Sequence, residues 1–187
     1  VPTMGGIIII VAILVPCLLI GKLKNTYMIL MIVTTLILGV IGFADDYIKA
    51  VMHRNLGLTI KQKTVAQLAV AFVYLLSISK GMGGLTYMYI PFVGTVHMNL
   101  YYWFFGLVII YATVNAVNFT DGIDGLNASV TFFVAIFFMI IASFLGMFGL
   151  SISSAALAGG CLGFLMWIFH PAKVFMGDTG SLFLGGM

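Results

Sequence analysis

The sequence predicts an all-α polytopic integral membrane protein, and three observations set that class. Of the 187 residues, 63% are hydrophobic and 7% are charged, where a soluble domain carries about 25% charged residues. Mean hydropathy is +1.22, far too apolar for a disordered chain. Apolar runs recur at roughly the 17–25 residues that cross a bilayer as helix. The net charge of +3 is too sparse for a nucleic-acid footprint, so the lipid bilayer is the expected partner and nucleic acid is not.

Taken in order, spans are expected at about 5–21, 27–44, 64–80, 100–118, 128–148 and 151–170, with a seventh starting near 181 and running to 187. Phe and β-branched residues are common in them, which lipid tolerates because the backbone must satisfy its own hydrogen bonds as helix. The links 21–26 and 149–151 are short. The stretch 81–99 differs: Gly83-Gly84 opens an alternation of Tyr87, Tyr89 and Phe92, then Val96 and His97 follow Val93-Gly94. That pattern predicts a small interfacial β-hairpin around 85–98, with Tyr101, Tyr102 and Trp103 as an aromatic belt. Cys17 and Cys161 lie inside apolar runs and read as buried small hydrophobes. The chain opens at Val1-Pro2-Thr3 and stops at Gly185-Gly186-Met187, so it reads as a fragment lacking sequence on both sides.

Counting passes puts the polar stretches 45–63, 119–127 and 171–180 on one face with the Pro2–Gly6 end. Lys49, Arg54, Lys61, Lys63 and Lys173 fall on that face, against Lys22, Lys24 and Lys80 on the other, which favours the first as cytoplasmic. All five acids of the chain are aspartates, Asp45, Asp46, Asp121, Asp124 and Asp178, and all fall at span ends on that same face. An Asp at a span centre costs about 2.5–3.5 kcal/mol; end placement relieves this, and carboxylates gathered with lysines suit a hard cation that also meets phosphate.

Local wording sharpens the picture. Asp45 and Lys49, four apart, share a helical face, and adjacent Asp46 points elsewhere, so one carboxylate can hold a cation and the other accept a proton. In 115–125 polar residues recur every three positions, Asn115, Asn118, Asp121 and Asp124, and Gly122 and Gly125 permit unwinding. Oxygen ligands of this kind suit Mg²⁺. Asp178 sits between Gly177 and the Thr179-Gly180 step ahead of an apolar run, which predicts free N–H groups at a helix N-terminus for phosphate. Phe175 reads as a core aromatic or a stacking surface for a base. Lys61 and Lys63 read as a membrane anchor or as binders of a diphosphate. Acids in membrane segments also mark ion paths, so a cation- or proton-coupled transporter is an alternative of another class.

Five segments, PTMGG at 2–6, GFADDYIK at 42–49, NLGLTIKQK at 55–63, NAVNFTDGIDGLNA at 115–128 and PAKVFMGDTGSLFLGG at 171–186, resemble in wording and order the bacterial phospho-N-acetylmuramoyl-pentapeptide transferases. These belong to the superfamily that joins a sugar-1-phosphate to a polyprenyl phosphate. The resemblance implies one partial transmembrane catalytic domain over 1–187 in the bacterial inner (plasma) membrane, with its active site facing the cytoplasm. The implied reaction is Mg²⁺-dependent transfer of phospho-MurNAc-pentapeptide from UDP-MurNAc-pentapeptide to undecaprenyl phosphate. UMP leaves and lipid I forms for peptidoglycan synthesis; a homodimer is implied too. A GlcNAc-1-phosphate transferase of teichoic-acid or O-antigen synthesis is the nearby alternative. The resemblance makes Asp45, Asp46 and Asp178 catalytic and takes Asp178 with Asn118 as metal ligands. Phe175 becomes the aromatic on uracil, and Lys49, Lys61, Lys63, Asn115, Asn118, Asp121 and Asp124 become substrate-binding. The family's pattern has an asparagine ten residues before Asp178, where this chain has Ile168. A fragment of this extent is expected to be inactive by itself.

Overall fold

The chain folds around a short, polar-headed helix held inside a set of longer apolar ones. The computed structural model describes residues 3–21, 25–52, 57–81, 86–90 and 92–187, with Met88 and Tyr89 described by backbone alone. Pro2, Lys22, Lys24, Arg54, Gly83 and Gly84, and residues 55–56 of the NLGLTIKQK segment, lie outside the described residues.

Helix α1 (Gly6–Ile20) is followed by α2 (Thr26–Ala50), α3 (Ile60–Gly81), α4 (Leu100–Thr120), α5 (Leu126–Phe144), α6 (Phe148–Ile168) and α7 (Gly177–Gly186). Between α3 and α4 a hairpin pairs β1 (Tyr87–Ile90) with β2 (Gly94–His97) antiparallel, Tyr87 opposite His97 and Ile90 opposite Gly94. The hairpin expected around 85–98 is therefore present. Phe92 and Gly94 take positive φ at its turn, +70° and +95°. The protein is a polytopic all-α membrane protein. Helices α2 to α6 are each long and apolar enough to cross a bilayer. The expected count was six: α1 has 15 residues, about 22 Å at 1.5 Å per residue, short of the roughly 30 Å hydrocarbon core.

Three boundaries differ from the hydropathy reading, each for a local reason. Helix α2 continues to Ala50, so Asp45, Asp46 and Lys49 ride its last two turns rather than a loop. Its 25 residues reach about 38 Å, and the polar turns emerge from the apolar layer. Helix α3 begins at Ile60 because Thr59 and Gln62 form a reciprocal capping box: Gln62 N donates to Thr59 Oγ1 at 3.3 Å and Thr59 N to Gln62 Oε1 at 3.1 Å. Lys61 and Lys63 are thus helical. Helix α7 begins at Gly177, placing Asp178 in its first turn.

Packing is by small residues and aliphatic knobs. Ile9, Ile13 and Cys17 form a fully buried stripe on α1, and a Cβ at Gly160 of α6 would lie 2.5 Å from Ile13 Cγ1. Cys17 and Cys161 are both buried and free, as expected. In the middle, Leu182, Phe183 and Leu184 of α7 are buried, although α7 has only ten residues. On α2 the positions facing α7 are Thr35, Gly39, Gly42 and Asp46, spaced as one helical face. A Cβ on Gly42 would come 2.1 Å from the Asp178 carbonyl oxygen. Close backbone approach through small residues is how helices associate where lipid competes for apolar contact. Outward-facing side chains such as Ile8, Leu19, Phe133, Phe144 and Met166 are exposed, as a bilayer solvent requires.

Candidate active site

All five aspartates lie at one end of the bundle. Three of them, Asp45, Asp46 and Asp178, place one carboxylate oxygen each within 4.8 Å of the others. The elements that bring them there are the end of α2 and the start of α7, with Lys63 from the first turn of α3 and Asn118 from the last turn of α4. Lys63 Nζ donates to Asp178 Oδ2 at 2.7 Å, and Asn118 Nδ2 donates to Asp178 Oδ1 at 2.9 Å and to Ser181 Oγ at 2.7 Å. Lys49 Nζ lies 3.4 Å from Asp178 Oδ2 and pairs with Asp45 Oδ2 across one turn of α2, the spacing expected from sequence. Asp45 Oδ1 accepts from Leu58 N at 2.7 Å, which ties the segment after α2 back onto that helix. A Cβ on Gly57 would stand 2.5 Å from Asp45 Oδ1, so a glycine is needed for that approach.

Burial opposes ionisation of Asp178. A hydrogen bond shared with Asp45, the bonds from Lys63 and Asn118, and the Lys63 charge outweigh it and hold the Asp178 carboxyl well below the usual carboxylate range. Asp45 Oδ2 is buried, and its described partner is the Lys49 ammonium. Three converging carboxylate oxygens form a ligand set that fits a hard divalent cation.

Beside the cluster opens a cavity of about 530 Å³ lined by Thr3, Asp46, Lys49, Ala50, Asn118, Phe119, Asp121, Gly122, Phe175, Gly177 and Asp178. Phe175 is half-buried on its wall, as a stacking surface would be. Asp121, the residue that ends α4, is buried enough that its carboxyl rises from 3.8 to about 7; the Asn127 bond opposes this and the Asp178 and Asp46 charges add to it. The opening of the chain also reaches this wall: Gly5 N donates to Phe175 O and Gly6 N to Met176 O, both at 2.9 Å. A Cβ on Gly6 would come 2.3 Å from Gly180 N. The glycines at 5–6 are thus a seat for the segment that carries Phe175 and Asp178.

Not every expected residue joins the cluster. Asn115 turns its amide to Gln67 Oε1 and the Tyr111 carbonyl, each at 2.8 Å, one turn away from Asn118. Lys61 is exposed on the first turn of α3 and has no ion pair among the described residues. Asp124 faces the α6–α7 connection instead, where its Oδ2 accepts from Ala172 N at 3.1 Å and lies 3.0 Å from His170 Nδ1. Ile168 is fully buried in the main apolar cluster and does not line the cavity.

The expectation of free N–H groups at the start of α7 is overturned. Asp178 N and Thr179 N donate to Asp46 Oδ1 and Oδ2 at 3.1 and 2.8 Å, and Thr179 Oγ1 donates to Asp46 Oδ2 at 2.6 Å. The anion at this helix N-terminus is a side chain of α2, because Gly42 lets the two backbones meet one turn earlier. Thr179, Ser181, Leu58 and Thr3 were not singled out from sequence. Their roles come from contacts more than 10 residues away, although Thr179 and Ser181 sit within the 171–186 segment that drew notice.

Comparison with known proteins gives two results. The model of the family described as glycosyl transferase family 4 matches residues 28–187. Curated relatives named phospho-N-acetylmuramoyl-pentapeptide-transferase include that of Desulforamulus reducens, 44% identical over 191 residues covering 99% of this chain and 57% of the relative. Those of Caldanaerobacter subterraneus and Bacillus mycoides are 45% and 47% identical, again over 99% of this chain and 58% of each relative. The chain spans under three-fifths of the length of these relatives.

Proposed function

The chain belongs to glycosyl transferase family 4, and from that premise we propose that it forms the catalytic half of a phospho-sugar transferase. The proposed reaction moves phospho-MurNAc-pentapeptide from UDP-MurNAc-pentapeptide to undecaprenyl phosphate, releasing UMP, at the cytoplasmic face of the bacterial inner membrane. The observation that carries this reading is the convergence of Asp45, Asp46 and Asp178 with Lys49 and Lys63 beside a cavity walled by Phe175. The relatives' shared name supports the choice of substrate.

Roles follow from position. Asp178 and Asp45 are the residues that would hold Mg²⁺, with Asn118, which donates to Asp178, beside them. Bound there, Mg²⁺ would neutralise charge on the diphosphate and orient it. Lys49 and Lys63 place two positive charges on Asp178, with Lys49 on the cavity wall, where phosphate oxygens of the nucleotide sugar and the lipid acceptor would meet. Phe175 offers its face to the uracil ring. Transfer between two phosphates asks the protein chiefly for position and charge, and the buried ion-pair network supplies both. The homodimer suggested by resemblance belongs to the same proposal.

A transport path would set carboxylates between helices near the bilayer midplane, and all five aspartates sit at helix ends instead. The test is UMP release by the full-length protein in lipid with undecaprenyl phosphate. Release from UDP-MurNAc-pentapeptide, dependent on Mg²⁺, is expected. Turnover of UDP-GlcNAc in its place would assign the GlcNAc-1-phosphate branch, and ion flux without nucleotide hydrolysis would overturn the transferase.

A further inference from the structure

Asp46 presents a different chemistry from its neighbour Asp45. Asp45 accepts from Leu58 N and pairs with the Lys49 ammonium, whereas both oxygens of Asp46 are held by three donors of one short segment, Asp178 N, Thr179 N and Thr179 Oγ1. The surroundings are shaped to that contact. Gly177 takes φ +68°, and a Cβ there would fall 2.6 Å from Asp46 Oδ2. Gly42, one turn earlier on α2, admits the Asp178 carbonyl where any side chain would block it. Thr179 is buried and does not line the cavity, so its hydroxyl serves Asp46 alone.

We infer that Asp46 is a positioning residue: its carboxylate clamps the first turn of α7 from the neighbouring helix and so fixes the direction in which Asp178 presents its own carboxylate to Lys63, Asn118 and the cavity. A carboxylate at a helix N-terminus is favoured by the unpaired N–H groups and the helix dipole. Asp178 is itself one of the residues whose N–H is held, so the clamp acts within one residue of the charge it aims. A carboxylate offers about four lone-pair sites, and Asp46 commits three of them to α7. The kinetic part of this inference rests on the transferase reading above; its structural part does not.

The experiment uses the full-length protein in lipid nanodiscs and Thr179→Val, Thr179→Ser and Asp46→Asn variants. Amide hydrogen exchange across 176–184 reports the clamp directly. Thr179→Val and Asp46→Asn are expected to speed exchange of the first turn of α7 about tenfold, and Thr179→Ser to leave it as in the wild type. In UMP release, Thr179→Val is expected to lower kcat by up to about 10²-fold with KM for the nucleotide sugar little changed, and Thr179→Ser to restore it. The acid limb of the pH–rate profile is expected to persist in Asp46→Asn at a lower plateau. The Asp46→Asn/Thr179→Val pair is expected to be no worse than its worse member. Wild-type exchange and turnover in Thr179→Val, or loss of the acid limb in Asp46→Asn, would overturn the inference. A wild-type protein that releases no UMP would refute the transferase while the exchange measurement still judged the clamp.

Discussion

Asp178 owes its charge to its neighbours. Lys63 at 2.7 Å and Asn118 at 2.9 Å hold its two oxygens, and Lys63 is itself mostly buried. Replacing Lys63 by Met is therefore expected to lower turnover by roughly 10²-fold or more, since a charge placed in a dry site cannot be replaced by water; steady-state UMP release measures it. Asp121 makes the opposite case. Its folded-state value near 7 lies above its ordinary 3.8, so its contribution to stability is full at low pH and is lost as pH rises through about 7. The Asp121→Asn protein is expected to gain stability relative to wild type as pH rises from 3.8 to about 7, read as the difference in thermal midpoints. Sequence alone made Asp45, Asp178, Lys63, Asn118 and Phe175 legible as a group, because acids and lysines are so rare in an apolar chain that each one stands out. It could not separate Asp124 from Asp121: both sit in Asp-Gly steps, and what divides them is a partner, Ala172 N, 48 residues away.

At the scale of elements, the hydropathy profile found every helix and misplaced several ends. Hydropathy reports which residues sit in lipid, whereas helix ends are set by capping and by polar turns that continue beyond it. Asp45 to Ala50 and Ile60 to Lys63 belong to helices for that reason, through the length of α2 and the Thr59–Gln62 box. The contact between α2 and α7 was hidden because it depends on glycines rather than on any apolar pattern. Gly42→Ala would press its methyl into the Asp178 carbonyl. A shift of backbone rather than of a flexible side chain is required, so a loss of about 1–3 kcal/mol in stability is expected, with a fall in UMP release as Asp178 moves. A wild-type thermal midpoint in that variant would show that α7 does not meet α2 so closely.

Across the whole molecule, charge is segregated by end. The aspartates and their lysine partners occupy one end, while Asn25, Gly81 and the 145–149 turn occupy the other. The helices carry no acid outside the last turns of α2 and the first turn of α7, so the bundle works as a scaffold that sets several helix ends around one cavity. Under the proposed reading, a site at the edge of the membrane is one that both a soluble nucleotide sugar and a lipid phosphate can reach. The most direct measurement of this account is UMP release by the full-length Asp178→Asn protein, whose shape is preserved and whose charge at the centre of the cluster is gone. The account predicts that turnover falls by at least about 10³-fold and that excess Mg²⁺ does not restore it. Turnover within a few-fold of the wild type at ordinary Mg²⁺ would contradict it.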